Sequence, residues 1–237
     1  MEPLDRSSIG AVGPGSVATA ERVTAFLRAV YGWMAAGLGV TALVAYAVAN
    51  SPLLGVLVQS QLLVIGLFVA QLALVFVLSA RVDRLAAGTA AWLFIGYAAL
   101  TGVTLSVLVL VYTGASMATT FVVTAGMFGG LAFYGTTTRR SLAGAGQFFF
   151  MGLIGLVLAS IVGMFWHSDA LQFLISVIGV IVFTGLTAWD AQRLKAMALE
   201  VSGSQAGSHA VVGALSLYLD FLNLFLFLLR FLGDRRE

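Results

Sequence analysis

The run ALSLYLDFLNLFLFLLRFLGDRR, residues 214–236, carries a carboxylate, Asp220, inside an otherwise apolar stretch long enough to enter a bilayer. An ionised carboxylate near the centre of a membrane helix costs roughly 2.5–3.5 kcal/mol on insertion scales, so a chain that keeps one there is expected to hold a partner for it. The rest of the sequence is read outward from that expectation.

The 237 residues are 60% hydrophobic and only 9% charged, against about 25% charged residues in soluble domains. This composition defines a polytopic membrane protein. Cysteine is absent, which excludes disulfides and thiolate metal sites. A formal charge of +2 is too small to argue for nucleic acid and is better used for topology. Residues 1–22, with Pro3, Gly10, Gly13, Pro14, Gly15 and several serines, read as a disordered tail. They lack the basic start, short apolar core and cleavage site of a signal peptide.

Charges punctuate the chain, because ionised groups are expelled from hydrocarbon and about 20 apolar residues are needed to cross it. No charge falls in the 52 residues between Arg28 and Arg81, nor in the 54 between Arg84 and Arg139. Each interval fits two spans and a turn, the turns falling at Asn50–Pro52 and at Thr113–Ala115. From Ser141 to Trp189 the ionisable groups are His167 and Asp169, at the turn of a third hairpin. The expected spans are 24–49, 54–79, 87–112, 117–137, 147–166 and 170–190, with a seventh at 210–232 after a polar linker. Residues 23–237 thus form one transmembrane domain. Uniformly apolar runs without alternation favour helices over a barrel, giving an all-α bundle. No proline interrupts a span, so seven largely unbroken helices are expected.

Arg6, Arg22, Arg28, Arg81, Arg84, Arg139, Arg140, Arg193 and Lys195, nine of the twelve basic residues, fall on one side of this topology. By the positive-inside rule that side, with the N-terminus, is cytoplasmic. Arg235 and Arg236 are the exception: a complete seventh crossing puts them outside, a shallow or re-entrant last helix keeps them inside. Small residues at four-residue spacing, Gly155, Ala159 and Gly163 in the fifth span and Gly32 and Ala36 in the first, mark faces for close internal packing, as do Gly126, Gly129 and Gly130 in the fourth.

Two acids stand apart from tails and turns: Asp190, closing the sixth apolar run, and Asp220. Taken separately, Asp190 reads as an interfacial carboxylate beside Arg193, and Asp220 as a buried acid hydrogen-bonded to Asn223. Taken together, on antiparallel neighbouring helices, they can meet at one depth. Two acids in a partly desolvated site cannot easily both ionise, so they share a proton and titrate as a pair. Such a pair holds a proton at low pH and a cation or an arginine at higher pH, which is the basis of a gate. Arg81 and Arg84 offer a counter-ion; Arg230, ten residues past Asp220, lies roughly 15 Å along the helix and is too far. Gln71 and Asn223 are the other strong polar groups at depth, and interhelical hydrogen bonding is their default role. No GxxxxGK[ST], HExxH, GxSxG or GxGxxG motif is present, and the chain reads as a non-enzyme without a cofactor.

The segments SLYLDFLNLFLFLLRFLG (216–233), IGVIVFTGLTAWDAQRLK (178–195), ALTGVTLS (99–106) and TFVVTAGMFGGLAFYG (120–135), in this order, resemble the transmembrane Bax inhibitor motif (Bax inhibitor-1-like) family and, within it, the bacterial inner-membrane branch. The resemblance implies seven helices with the seventh at the centre. It also implies a pH-dependent calcium leak controlled by an aspartate pair on the sixth and seventh helices, which falls on Asp190 and Asp220. The family's covering arginine falls near Arg81 or Arg84, with Arg84 slightly preferred, and Gln71 stands where some relatives carry an acid. The expected partners are the lipid bilayer, protons, and calcium as permeant ion, for which Asp190 and Asp220 would be ligands. The alternative is a membrane interaction protein that modulates a membrane-bound protease or other membrane partners.

Overall fold

The structure, a computed structural model, describes residues 14–166, 168–201, 203–234 and 236. The tail up to residue 13, the turn histidine His167, Ser202 of the polar linker and Arg235 lie outside the described residues. The described chain forms nine helices: α1 (Pro14–Ala49), α2 (Leu53–Gln59), α3 (Gln61–Ala80), α4 (Ala87–Leu105), α5 (Leu108–Val111), α6 (Gly114–Thr137), α7 (Ala143–Phe165), α8 (Asp169–Glu200) and α9 (Ala206–Leu232). Short 3₁₀ turns at Val82–Arg84 and Gly203–Gln205 lead into α4 and α9. Seven helical segments are long and apolar enough to cross a membrane, α4 and α5 counting as one.

The helix bounds depart from the sequence expectation where polar side chains act on the backbone. α1 starts at Pro14, ten residues before the expected 24, so the second half of the 1–22 tail is helical. Proline's fixed φ suits a first helical turn, and Ala18, Ala20, Glu21 and Arg22 are good helix formers. The second span is not one helix: Ser60 takes an extended conformation (φ −110°, ψ 91°), and its Oγ caps α3 by accepting from the Leu63 N–H at 3.3 Å. In the third span Ser106 donates to the Val103 carbonyl at 2.6 Å where α4 ends, a side-chain bond that competes with the helix. The sixth span runs ten residues past its expected end at 190. Ala191, Leu194 and Ala198 stay buried at helical spacing while Arg193 and Lys195 face out, so amphipathic packing carries α8 on beyond the hydrocarbon-like run.

That extension holds the neighbouring turn. Gln192 accepts from the Leu142 N–H at 2.7 Å and donates to the Arg140 carbonyl at 2.9 Å, while Lys195 donates to the Thr136 carbonyl at 2.7 Å. Backbone groups between α6 and α7, left open by the helix ends, are thereby satisfied.

α9 is the axis of the bundle. Of its apolar window 67% of residues are buried, against 11% for α3 and for α7. α1, α4, α6 and α8 pack directly on it, α7 lies on α8, and α3 lies mainly on α4. A fully buried Tyr218 ties three helices together. Its hydroxyl meets Thr41 Oγ1 at 2.6 Å, and Thr41 Oγ1 lies 2.9 Å from the Ala98 carbonyl. Because Thr41 has one hydroxyl proton and gives it to that carbonyl, the Tyr218 phenol is the donor to Thr41. Phe94 and Tyr97 meet the Tyr218 ring edge-on at 5.5 and 5.9 Å.

Close helix approach is made by glycines other than those picked out by spacing. A Cβ on Gly135 of α6 would overlap the Ala188 carbonyl of α8, and one on Gly102 would sit 2.6 Å from the Thr41 carbonyl of α1. Gly32, Gly126, Gly129, Gly130 and Gly155, expected to pack internally, have open space at the Cβ position, and Ala36 is exposed. Only Gly163 of these glycines is buried. Small-residue spacing identifies a face but not the direction in which the face points.

α9 also settles its own extent. Its 27 residues measure about 40 Å, and it runs from one end of the bundle to the other. At its start His209 Nε2 meets Asp83 Oδ1 at 3.2 Å in the Arg81–Arg84 turn. At its far end the chain bonds to the turn between α5 and α6: Asp234 N–H donates to Ser116 Oγ at 2.9 Å, Thr113 N–H to the Asp234 carbonyl at 3.3 Å and Arg236 N–H to the Val111 carbonyl at 2.9 Å. Arg236 therefore stands at the end opposite the basic turns, and the re-entrant alternative is not adopted.

Candidate functional site

Asp190 and Asp220 are brought together by the antiparallel packing of α8 and α9. Asp190 lies ten residues before the end of α8 at Glu200, and Asp220 fourteen after the start of α9 at Ala206. At 1.5 Å per residue these are depths of roughly 15 and 21 Å from the basic end, with both side chains inside the bundle. The packing of α8 on α9 sets the two carboxyls beside each other, close enough for each to act electrostatically on the other. Two carboxylates have no proton to donate, so a hydrogen bond between them requires that the pair hold one. Asp220 is 5% exposed and Asp190 9%. Asp220 Oδ2 is the buried side-chain polar atom that lacks a hydrogen-bond partner among the described residues.

The nearest cation is Arg193, one turn along α8. Its Nη1 lies 4.0 Å from Asp190 Oδ1, and its guanidinium sits over the Trp189 ring, 5.7 Å from the centroid. The arginine side chain is half exposed, so it reaches the pair from the basic end while staying in contact with water. Asp190 thus stands beside Arg193 on its own helix and beside Asp220 of α9 as well.

The other expected site residues fall elsewhere. Arg81 and Arg84 are exposed in the turn between α3 and α4, and neither forms an ion pair among the described residues. α3 ends at Ala80, which leaves both arginines at the rim of the bundle instead of above the aspartates. Asn223 does not bond Asp220: its Nδ2 donates to the Leu219 carbonyl at 2.8 Å in its own helix. Gln71 makes the expected interhelical bond, its Nε2 donating to Thr104 Oγ1 at 2.7 Å. Arg230 is committed to Gln172, with Nη1 donating to Oε1 at 3.1 Å.

Three residues outside the sequence reading support the site. Tyr218 fixes α9 two residues before Asp220, and its signal was a phenol within the quoted apolar run. Gln192 braces α8 two residues after Asp190. His209 pins α9 to the Arg81–Arg84 turn, and its spacing from Asp83 in sequence carries no signal at all.

Chemically the site is a pair of carboxyls deep in an apolar bundle, with a cation at one side and an oxygen left without a partner. It can hold or release a proton, and it can offer oxygen ligands to a hard cation. Two carboxylates supply fewer oxygens than the roughly 6–8 that Ca²⁺ takes, and no cluster of three or more His, Cys, Asp or Glu side chains occurs among the described residues.

These features define a multi-pass, all-helical membrane protein built around a central helix with a buried carboxyl pair. Residues 23–237 match the family described as inhibitor of apoptosis-promoting Bax1, and the chain belongs to that Bax inhibitor-1-like family. It is 52% identical over 215 residues to the inner membrane protein YbhL of Escherichia coli K12, covering 89% of this chain and 92% of that protein. A protein of Deinococcus radiodurans is 47% identical over 220 residues (92% and 94% of the two chains), and YrjE of Lactococcus lactis 36% identical over 214 (89% and 91%).

Proposed function

We propose that the protein is a pH-sensitive, calcium-permeable leak channel of the bacterial inner membrane, with its N-terminus and basic turns in the cytoplasm. The observation that carries this is the juxtaposition of two buried carboxyls, Asp190 and Asp220, which can hydrogen-bond each other only while the pair holds a proton. Losing the shared proton leaves two carboxylate charges facing each other in a desolvated site, where each needs a cation. Arg193 answers one of them from the basic side; a permeating cation answers the other. Opening is then the separation or rotation of α8 against α9 as the shared proton leaves. Arg81 and Arg84 shape the cytoplasmic mouth, attached to α9 through Asp83 and His209. The inner-membrane location rests on the name of the Escherichia coli relative together with seven apolar spans.

The test is calcium flux into dye-loaded liposomes containing the purified protein, followed against pH for the wild type, Asp190→Asn and Asp220→Asn. Flux that depends on pH in the wild type and not in the variants is expected. Purified protein without flux, coupled with a stoichiometric crosslinked membrane partner such as a protease, would transfer the reading to an interaction protein.

A further inference from the structure

At the end of the bundle away from the basic turns, Arg230 stands outside the gating site. It lies in the last turns of α9 and, among the described residues, hydrogen-bonds Gln172 of α8. No acid lies within ion-pair distance of it among the described residues, although Asp169 lines the space beside it. Gln172 holds the guanidinium with its carbonyl oxygen, while its amide nitrogen lies against Gly163 of α7.

Two cavities meet at these side chains. One, of about 550 Å³, runs between α7, α8 and α9, with Leu153, Leu156, Val157, Ile161 and Phe227 on its walls and Gln172 and Arg230 at its mouth. The other, of about 540 Å³, lies between α5, α8 and α9, with Tyr112, Phe173 and Ser176 on its walls, and shares the same two polar residues. Val157 and Ile161 are about half exposed, so the first cavity opens sideways toward the bilayer and not only toward water. Its deep end reaches Asn223, which with Asp220, Phe227 and Arg230 falls at three- and four-residue spacing on one face of α9.

We propose that this crevice binds an anionic glycerophospholipid, its phosphate on Arg230 and an acyl chain along the α7–α8 groove. Charge complementarity selects the occupant. A guanidinium with no carboxylate partner is a strong donor for phosphate. The apolar walls below the cation require that the anion carry a hydrocarbon tail, which a soluble phosphate lacks. The height is also right, because Arg230 lies close to the end of α9, where head groups sit. The occupant's chain would lie along the same α9 face as Asp220, one turn beyond Asn223.

Native mass spectrometry of the purified full-length protein, with equimolar phosphatidylglycerol and phosphatidylcholine of matched chains, tests the site. The wild type should retain phosphatidylglycerol over phosphatidylcholine by roughly tenfold, because both carry the phosphate but the choline cation offsets its charge beside Arg230. Arg230→Gln should abolish that preference and Arg230→Lys should keep most of it, so the pair reads charge even if one variant folds poorly. Val157→Trp, which fills the crevice from its exposed lip, should reduce retention of both lipids. Equal retention of the two lipids by the wild type, or an unchanged preference in Arg230→Gln, would overturn the proposal. So would displacement of phosphatidylglycerol by inorganic phosphate, with Val157→Trp binding lipid as the wild type does, because that outcome makes the site one for a soluble anion.

Discussion

Replacing Asp220 by asparagine separates the pair's shape from its chemistry. The amide is nearly isosteric, so the side chain stays between α8 and α9, and its N–H₂ can donate to Asp190 permanently. The wild-type bond depends on a shared proton; the variant's does not. A switch that turns on one proton can change an equilibrium by at most about tenfold per pH unit, since each bound proton contributes 2.303RT per unit. Wild-type calcium flux should therefore rise by up to about tenfold per pH unit over the range in which the proton is lost, and the Asp220→Asn slope should fall to near zero. Stability should move in the same sense. Losing the proton breaks the carboxyl–carboxyl bond and strands two buried charges, so the wild type loses stability as pH rises. The variant keeps a hydrogen bond to a charged group, worth about 1.5–3 kcal/mol, at every pH. Its melting temperature in detergent should exceed the wild type's where the pair has lost its proton and match it at the acidic end of the range. A variant that retains the wild-type flux slope, or melts in parallel with it across that range, would refute the shared-proton gate.

Tyr218→Phe removes the donor that reaches Thr41 but leaves the Thr41 bond to Ala98, so a loss of about 1 kcal/mol is expected in thermal melts, with flux still responsive to pH. Gly135→Val inserts atoms where the Ala188 carbonyl already sits; forcing α6 from α8 should cost roughly 1–3 kcal/mol and disturb the helix that carries Asp190, visible as reduced yield and altered flux. Asp83→Asn breaks the contact with His209 at the basic end. Asp83 is mostly exposed, so the destabilisation should be under about 1 kcal/mol in thermal melts. An unchanged melting temperature would remove His209 from that role.

The membrane class, the seven apolar spans and the two isolated carboxylates were legible in the sequence by itself, because each is set by transfer free energy along the chain. A run of about 20 apolar residues lowers its free energy in hydrocarbon whatever it packs against, and a charge interrupts such a run wherever it falls. The resemblance of residues 178–195 and 216–233 to one family likewise resides in local sequence. Faces, rotations and depths are different, since they depend on how neighbouring helices turn toward one another. Sequence spacing picked Gly32, Gly126 and Gly155 for close packing, but tertiary structure turned them outward and used Gly102 and Gly135, where another helix's carbonyl leaves no room for a Cβ. Arg81 and Arg84 looked able to cover the aspartates, yet the end of α3 leaves them at the rim and the extension of α8 brings Arg193 instead. The end of the chain shows the division most plainly. Charge counting left Arg236 undecided between two sides, and only the bonds from Asp234 and Arg236 to the Val111–Ser116 turn carried α9 across the whole bundle. Asp220 was a costly carboxylate by composition alone. It became half of a pair because helix packing, driven by van der Waals fit and interhelical hydrogen bonds and not by hydropathy, set it opposite Asp190.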